Sequence, residues 1–367
     1  MQTNKIDIKR IIILAGSFIS FAIGSGFATG QEAMQFFGAY GIACIFVLLS
    51  FIILNIYIDM NYLNAGRKGN YEKGTQVYQF FCGKYIGTIF DWFSVFFCFV
   101  LFVVMVSGAG ATLEQQWGLP IQIGGIFLAA TSCGTVLLGL QKMVNILGII
   151  GPIVVILALV ASFFGIINGQ NSILEGAEKV LKMDVLSAGD SWINGAVTYN
   201  GFGMLMFGGF IATIGKTEKN MQTAQLGIST GIIAVAIAIG FVVCGLLCNI
   251  ELVAGSQIPV LVMINSMSPM LATIYCIVIF LAIFSTASPL LWTVCDRLAT
   301  PKTSRYSIVC IALTVGGTII ALSLPFDKLV NTMFTLNGYA GFVLIAFLIG
   351  RNIYDLTKKN KNTKESA

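Results

Sequence analysis

A glycine-rich interruption, Gly24-Ser25-Gly26, lies in the middle of an apolar run that extends from Ile11 to Gly38. A membrane-spanning helix needs about 20 apolar residues, so this run is long enough to cross a bilayer. Glycine weakens a helix, and non-helical backbone at membrane depth is tolerated where it lines protein or a water-filled cavity. The interruption therefore predicts a discontinuous helix whose N–H and C=O groups bind a ligand. Close helix packing through Gly26 and Gly30 is the alternative.

A second interruption of the same kind, Asn200-Gly201-Phe202-Gly203, lies near the middle of the apolar run 193–215. Paired interruptions at corresponding positions of two repeated halves indicate a transporter binding site, because broken helices present backbone groups to the substrate. Two independent pairs of packing glycines are again the alternative.

The composition indicates the elements that must position these residues. Hydrophobic residues make up 57% of the chain and charged residues 10%, which is typical of an all-α polytopic membrane protein. The absence of histidine excludes histidine proton relays and histidine metal sites. We predict ten transmembrane helices, at 11–38, 40–64, 88–113, 120–140, 144–168, 193–215, 223–249, 269–295, 306–324 and 328–350.

The basic residues indicate the orientation of these spans. With the N-terminus inside, only Lys179, Lys182 and Lys328 of the 21 basic residues fall outside. We therefore expect a multi-pass protein of the cytoplasmic membrane with both termini cytoplasmic. The net charge of +5 follows from this topology, so no nucleic-acid partner is expected.

Ten spans divide into two five-helix halves that run in opposite directions, which is the arithmetic of an inverted repeat. The predicted units are a first repeat at 1–168, an extracellular connector at 169–192, a second repeat at 193–350 and a cytoplasmic tail at 351–367. The connector is expected to contain a short helix, and the polar tail after Tyr354 to be disordered. The segment 65–87 is predicted to form an interfacial amphipathic helix.

The two interrupted spans resemble those of the LeuT-type fold and of the amino acid–polyamine–organocation superfamily. Gly24-Ser25-Gly26 resembles the loop that binds the substrate carboxylate, and Gly201-Phe202-Gly203 resembles the broken sixth helix. The whole chain is also similar to YkvI-type bacterial membrane proteins. The resemblance implies a 5+5 inverted repeat with broken helices 1 and 6.

Span eight carries a third matching pattern, Ala282-x-x-Ser285-Thr286, which resembles a sodium site found in many members of this fold. There the ion is held by two hydroxyls, by the span-eight carbonyl and by two carbonyls at the break, here those of Ser20 and Ile23. A hard cation prefers such oxygen ligands. The alternative is that the hydroxyls bond only to their own helix. Sodium, as a coupling ion, is the only cofactor expected.

The resemblance also implies a binding site for a small zwitterion, most simply an amino acid. Its carboxylate would meet N–H groups at the start of the outer half-helix, its ammonium would meet backbone carbonyls at both breaks, and Phe202 would contact its side chain. The residues predicted to bind substrate are Ile23, Gly24, Ser25, Gly26, Phe27, Tyr199, Asn200, Gly201, Phe202 and Gly203.

Three acidic residues within or near the spans have alternative interpretations. Glu32, six residues beyond Gly26, is either a gate or proton carrier or, as we favour from the sequence, an interfacial residue. Asp59 and Asp91 are expected to be solvated near the cytoplasmic ends of their spans.

These observations predict a sodium-coupled secondary transporter of a small zwitterion, and they contain nothing typical of an enzyme. Two alternatives stay open. One is a ligand-sensing membrane receptor subunit of the same fold, which would need partner proteins and would show no concentrative uptake. The other is a transporter of the same fold for a nucleobase, an organic cation or a sugar.

Overall fold

The computed structural model describes residues 6–22, 24–69, 76–138 and 150–365, and the regular structure in these ranges is helical. A 3-10 helix, Gly38–Ala43, precedes the fourth of the α-helices. In chain order the α-helices are α1 (Ile8–Ala22), α2 (Ser25–Thr29), α3 (Gln31–Phe36), α4 (Cys44–Lys68), α5 (Val77–Trp117), α6 (Ile121–Leu138), α7 (Ile150–Ile167), α8 (Ile173–Val180), α9 (Trp192–Thr217), α10 (Met221–Cys248), α11 (Ile250–Val253), α12 (Pro259–Met267), α13 (Pro269–Leu298), α14 (Ser304–Ala321) and α15 (Phe326–Glu365).

Eight of the described helices are long and apolar enough to cross a membrane. They are α4 with its preceding 3-10 turn, α5, α6, α9, α10, α13, α14 and α15. The other two predicted spans have a different form. The span 11–38 is divided among α1, α2 and α3, and the span 144–168 begins outside the described residues and continues as α7.

The first predicted interruption coincides with a helix end. Helix α1 ends at Ala22, Gly24 has extended backbone (φ −97°, ψ −162°), and α2 begins at Ser25. Ile23 lies outside the described residues. A second bend follows at Gly30, whose φ of +87° lies in the left-handed region that favours glycine.

The predicted interruption of the sixth span is wrong. Residues 200–203 lie inside α9, which is continuous from Trp192 to Thr217. The physical reason is close helix packing, since a Cβ on Gly201 would overlap the carbonyl oxygen of Gly338 in α15. A Cβ on Gly341 would likewise overlap the carbonyl oxygen of Gly201. The packing alternative therefore holds for this glycine pair.

The predictions for the C-terminal tail and for the segment 65–87 also differ from the structure. The tail after Tyr354 is not disordered, because α15 continues to Glu365. Lysine and glutamate favour helix, and extending an existing helix needs no new nucleation. Before the span at 88–113, α5 already begins at Val77 and bends at Gly83 (φ +74°), while residues 70–75 of the predicted interfacial segment lie outside the described residues.

Capping residues define several helix starts. Ser172 and Glu175 form a reciprocal capping box at the start of α8, the short helix expected in the connector. The Asn220 side chain accepts two backbone N–H groups at the start of α10. Ser268 precedes Pro269 at the start of α13. Proline lacks an N–H, but this costs no hydrogen bond here, because the first N–H groups of a helix have no partner within the helix.

The long helices pack so that α9 lies between α4 and α15, α1 lies along α10, and α13 lies along α5. Glycines allow the α1–α10 contact, because a Cβ on Gly227 would approach Leu14 closely and one on Gly231 would approach Phe18. Phe21, near the end of α1, contacts Phe207 of α9 at 5.7 Å between ring centroids, and α2 packs on α13. The α1–α2 break therefore lies between α9 and α13.

Candidate substrate and ion site

The segment that follows the break is held by α13 and by its own side chains. The Tyr275 hydroxyl donates to the Ala28 carbonyl (3.0 Å), and Thr29 Oγ1 donates to the Gly26 carbonyl (3.1 Å). A Cβ on Gly24 would lie 3.5 Å from Thr286 Oγ1, so α13 reaches the break itself. The amide of Gly24 donates to the Ala22 carbonyl (3.2 Å), whereas a continued helix would use the carbonyl of Ser20.

Glu32 is the acidic residue of this site. It is 7% exposed, its carboxylate accepts a long hydrogen bond from the Tyr199 hydroxyl (3.4 Å), and it lies against the Cα of Gly26, where a Cβ would overlap it. The ion pairs formed by the described residues do not include Glu32. The interfacial interpretation of Glu32 is therefore wrong, since the short helix α3 is buried along its whole length.

Aromatic rings surround the Tyr199 side chain. Phe37 meets it edge-on at 4.8 Å between ring centroids, and Phe202 lies 6.2 Å away on the same helix. Phe202 in turn stacks on Phe334 of α15 at 4.5 Å. The full cluster, which we call the aromatic cluster, consists of Phe36, Phe37, Phe51, Phe97, Tyr199, Phe202 and Phe334.

The predicted site residues on α9 are distributed over different faces. Tyr199 reaches the break through its hydroxyl, and Phe202 belongs to the aromatic cluster. Asn200 instead faces α4, where its Oδ1 accepts from Asn55 Nδ2 (2.8 Å), and Gly201 packs on α15. Because these residues lie within a continuous helix, the expectation that an unwound α9 offers its carbonyls to a ligand loses its premise.

The hydroxyls of the predicted sodium site bond to their own helix. Ser285 Oγ and Thr286 Oγ1 both donate to the Ala282 carbonyl, at 2.8 and 3.2 Å. Of the proposed backbone ligands, Ser20 lies in the last turn of α1, and Ile23 is outside the described residues. The structure thus brings Thr286 beside the break, and the ion ligation stays a prediction.

Three glutamines, which sequence reasoning did not single out, close the far face, meaning the side opposite the N-terminus. Gln31 Nε2 donates to the carbonyls of Ser256 (2.6 Å) and Gln257 (3.0 Å). Gln35 Nε2 donates to the carbonyl of Asp327 (3.0 Å), and Gln257 Oε1 accepts from the amide of Phe326 (2.9 Å). This far-face network ties α3, the 254–258 segment and the start of α15 together. In the sequence, the one indication of this network is that amide side chains lie close to a predicted span end.

Ion pairs lie at the face that carries the N-terminus. Arg10 of α1 pairs with Glu218 at 2.7 Å, and Arg297 of α13 pairs with Asp91 of α5 at 2.7 Å while stacking over the Trp92 ring at 4.7 Å. Asp91 is therefore buried and paired, which corrects the expectation that it is solvated. Asp59 is buried as well.

Comparisons with known proteins agree with this architecture. None of the protein-family models matches the chain. Two relatives from Bacillus subtilis (strain 168) span nearly its full length. The uncharacterized membrane protein YkvI is 22% identical over 340 residues, covering 92% of this chain and 94% of its own. The uncharacterized protein YyaD is 25% identical over 360 residues, covering 96% and 98%.

Solved structures show the same fold. MhsT in complex with L-phenylalanine has a TM-score of 0.60 at 17% identity and covers 94% of this chain and 89% of that one. The inward-facing conformation of Mhp1 has a TM-score of 0.57 at 13% identity, covering 92% and 75%. A manganese transporter from Eremococcus coleocola has a TM-score of 0.56 at 13% identity, covering 92% and 78%. These structures are LeuT-fold membrane transporters, not enzymes, and the present chain has the LeuT-type fold.

Proposed function

We propose that the protein is a secondary transporter that moves a small zwitterion, most simply an amino acid, by alternating access through the α1–α2 break. The inference from fold to transport is supported by the transporters of the same architecture. A fold alone does not define a function, so the residues of the site must distinguish transport from other roles of the same fold.

The single observation that carries the proposal is Glu32. A buried carboxylate that no basic residue neutralises is unfavourable, and within a membrane protein such a group indicates a site for a cation, a proton or a charged substrate. Glu32 lies against Gly26 in the first turn of α2, two residues beyond the extended Gly24. Transporters of broken-helix architecture bind substrate at such breaks. We propose that Glu32 binds the ammonium group of the substrate. The α9 carbonyls that were predicted for this role belong to a continuous helix and are not free to bind it.

The other end of the substrate is assigned to backbone groups. The N–H groups of Ser25, Gly26 and Phe27 belong to the first turn of α2, and such groups favour an anion. A zwitterion can place its carboxylate at this turn and its ammonium at Glu32. The zwitterion itself has no net charge, so the site keeps the one negative charge of Glu32, which a bound sodium ion would balance. The aromatic cluster adjoins this position through Tyr199 and suits a substrate with an apolar or aromatic side chain. L-Phenylalanine, the ligand of MhsT, is therefore the first compound to test.

Sodium is the proposed coupling ion, held by Ser285, Thr286 and the carbonyls of Ser20, Ile23 and Ala282. The contact of Thr286 with the break supports this assignment, because one ion would then order the same segment that binds substrate. Both hydroxyls would have to rotate away from the Ala282 carbonyl when the ion binds.

We further propose that the protein lies in the cytoplasmic membrane with its N-terminal face toward the cytoplasm, which the positive-inside pattern of the basic residues supports. In this orientation the far-face network closes the extracellular side of the break. Alternating access would break this network as the opposite face closes.

The test is uptake into liposomes that contain the purified protein. Labelled amino acids, beginning with L-phenylalanine, are offered with an inward sodium gradient and with potassium in its place. The proposal predicts sodium-stimulated concentrative uptake of at least one zwitterion. Specific binding without any uptake would favour the sensor alternative, and uptake driven only by a pH gradient would remove the sodium assignment.

A further inference from the structure

A second buried carboxylate outside the ion pairs of the described residues, Asp59 on α4, lies outside the proposed substrate site and has no role in it. It is 1% exposed, and its Oδ2 has no hydrogen-bond partner among the described residues. The ion pairs of the described residues do not include it. An ionised carboxylate in this position would cost several kcal/mol of desolvation without compensation.

The residue one helical turn away, Asn55, also has an acceptor without a donor. It is 1% exposed, and its Oδ1 is buried and unpartnered in the described structure. Residues four apart on a helix lie about 5–6 Å apart at Cβ, so the two unpartnered oxygens share one face of α4. That face packs on α9, because a Cβ on Gly203 would lie 3.2 Å from Asn55 Oδ1.

The orientation of the Asn55 amide is fixed by its surroundings. Its Nδ2 donates to the Phe51 carbonyl (2.9 Å) and to Asn200 Oδ1 (2.8 Å). Asn200 is itself oriented by donating from Nδ2 to the Ala196 carbonyl (2.7 Å) and to Ser50 Oγ (3.3 Å). A rotation of the Asn55 amide by 180° would place its oxygen against the Phe51 carbonyl oxygen, and the same rotation of Asn200 would place two amide nitrogens against each other. Asn55 Oδ1 therefore points away from Phe51 and Asn200.

The titratable groups around Asp59 do not supply the missing donor. Tyr62, on the same face of α4, interacts electrostatically with Asp59, but its hydroxyl donates to the Met204 carbonyl (3.3 Å). Tyr78 of α5 donates to the Leu205 carbonyl (2.8 Å), and Cys82 is the other α5 group near Tyr62. The titratable residues of α9 are Tyr199, which bonds to Glu32, and Lys216 in its last turn. Lys216 lies twelve residues, or about 18 Å along the helix, beyond Met204, the α9 residue that Tyr62 contacts.

We propose that Asp59 is a proton-binding site, in which the protonated carboxyl donates a hydrogen bond to Asn55 Oδ1 between α4 and α9. One proton converts the carboxylate to an acid and satisfies both unpartnered oxygens, with no co-reactant needed. A sodium ion fits less well, because hard cations take about six oxygen ligands and this place offers three, two from Asp59 and one from Asn55. The assignment does not rest on transport activity.

The proton has a consequence for the packing of α4 on α9. Loss of the proton would leave an uncompensated charge in the contact between α4 and α9. The folded protein therefore keeps this proton at neutral pH. In the unfolded chain Asp59 is an ordinary aspartate and releases it. Stability therefore falls as pH rises, since the folded state holds the additional proton.

Infrared difference spectroscopy of the purified full-length protein at neutral pH tests the assignment directly. A protonated carboxyl absorbs apart from a carboxylate and shifts on deuteration. The wild-type minus Asp59→Asn spectrum should show a protonated carboxyl band. The matched control is Asp91→Asn, because Asp91 is equally buried but is paired with Arg297, and its difference spectrum should show carboxylate bands.

A second variant keeps the test independent of how well Asp59→Asn folds. Asn55→Leu removes the acceptor and should shift the same band to the position of a carboxyl without a hydrogen bond. Carboxylate bands in the Asp59→Asn difference spectrum, in potassium and in sodium alike, would overturn the proposal. Carboxylate bands that replace the protonated band only in sodium would assign the site to sodium and overturn the proton.

Discussion

At the scale of single residues, three acidic side chains illustrate how the surroundings decide a role. Asp91 is neutralised by Arg297, Glu32 faces the break with only a tyrosine hydroxyl, and Asp59 faces an amide oxygen. All three are buried within apolar spans. A buried charge is unfavourable unless it is paired, so each unpaired case predicts a partner that the described structure does not contain.

Gly26→Leu tests the substrate site from the side of the backbone. A Cβ at Gly26 already overlaps the Glu32 carboxylate, so leucine should displace Glu32 and fill the space beside the break. We expect substrate binding to be lost while the protein stays folded, as measured by equilibrium binding and circular dichroism. Gly16→Leu is the control, because nothing lies within 4 Å of a Cβ there. Unchanged affinity in Gly26→Leu would mean that this glycine serves helix packing.

The double variant Ser285→Ala with Thr286→Val tests the proposed ion site. It removes two hydroxyl ligands at nearly constant volume. Coupling between an ion and a substrate is typically worth about 1–3 kcal/mol, so sodium should raise wild-type substrate affinity about 5- to 150-fold and should not affect the double variant. Thr293→Val removes a hydroxyl that bonds to the same helix about two turns further on. It is the control and should keep the sodium effect. A double variant with full sodium dependence would place the ion elsewhere.

At the scale of elements, the two glycine-rich interruptions show what the sequence can and cannot predict. Their local patterns are alike, and propensity alone treats them equally. Around Gly24 the chain leaves the helix, whereas at Gly201 the neighbouring α15 approaches through Gly338 and Gly341 and the helix continues. Only the identity of the packing partner distinguishes the two cases, and that partner lies about 140 residues away. The span positions, in contrast, follow from apolar length alone, which is why most of them could be predicted.

Gly201→Ala tests the packing explanation. The new methyl would overlap the Gly338 carbonyl oxygen, a backbone atom that cannot rotate away, so we expect destabilisation by about 1–3 kcal/mol through overpacking. The matched control is Gly350→Ala in α15, where a Cβ meets nothing within 4 Å and alanine should stabilise the helix by up to about 1 kcal/mol. Thermal unfolding in detergent measures both. A neutral Gly201→Ala would show that α9 and α15 do not approach closely.

Arg297→Ala tests the contact between α13 and α5. Removing the guanidinium leaves Asp91 buried and unpaired and also removes the stacking on Trp92. Breaking a buried pair in this way costs about 3–5 kcal/mol, so the unfolding temperature should fall markedly. The double variant Arg297→Ala with Asp91→Ala should recover part of the loss. The pair would count as energetically unimportant if the single variant matched the wild type.

At the scale of the whole molecule, the contacts are arranged around the break. The far-face network joins α3 to the start of α15, and ion pairs join α1 and α13 to their neighbours at the opposite face. The candidate site between these faces could be located from the sequence only in part. Gly24, Ser25, Gly26 and Thr286 were found through motifs, but the burial of Glu32 and its approach to Tyr199 depend on how α3 folds back, which no local pattern encodes.

The most direct measurement of the central claim is equilibrium binding of the transported amino acid to wild-type protein and to Glu32→Gln. Glutamine keeps the shape and the hydrogen bond with Tyr199 but removes the charge proposed to pair with the substrate ammonium. Removing one member of a buried charge pair costs at least about 2 kcal/mol, so affinity should fall about 30-fold or more. The exposed Glu178→Gln, on α8, is the control and should bind as the wild type does. Wild-type affinity in Glu32→Gln would contradict a substrate site built on this carboxylate.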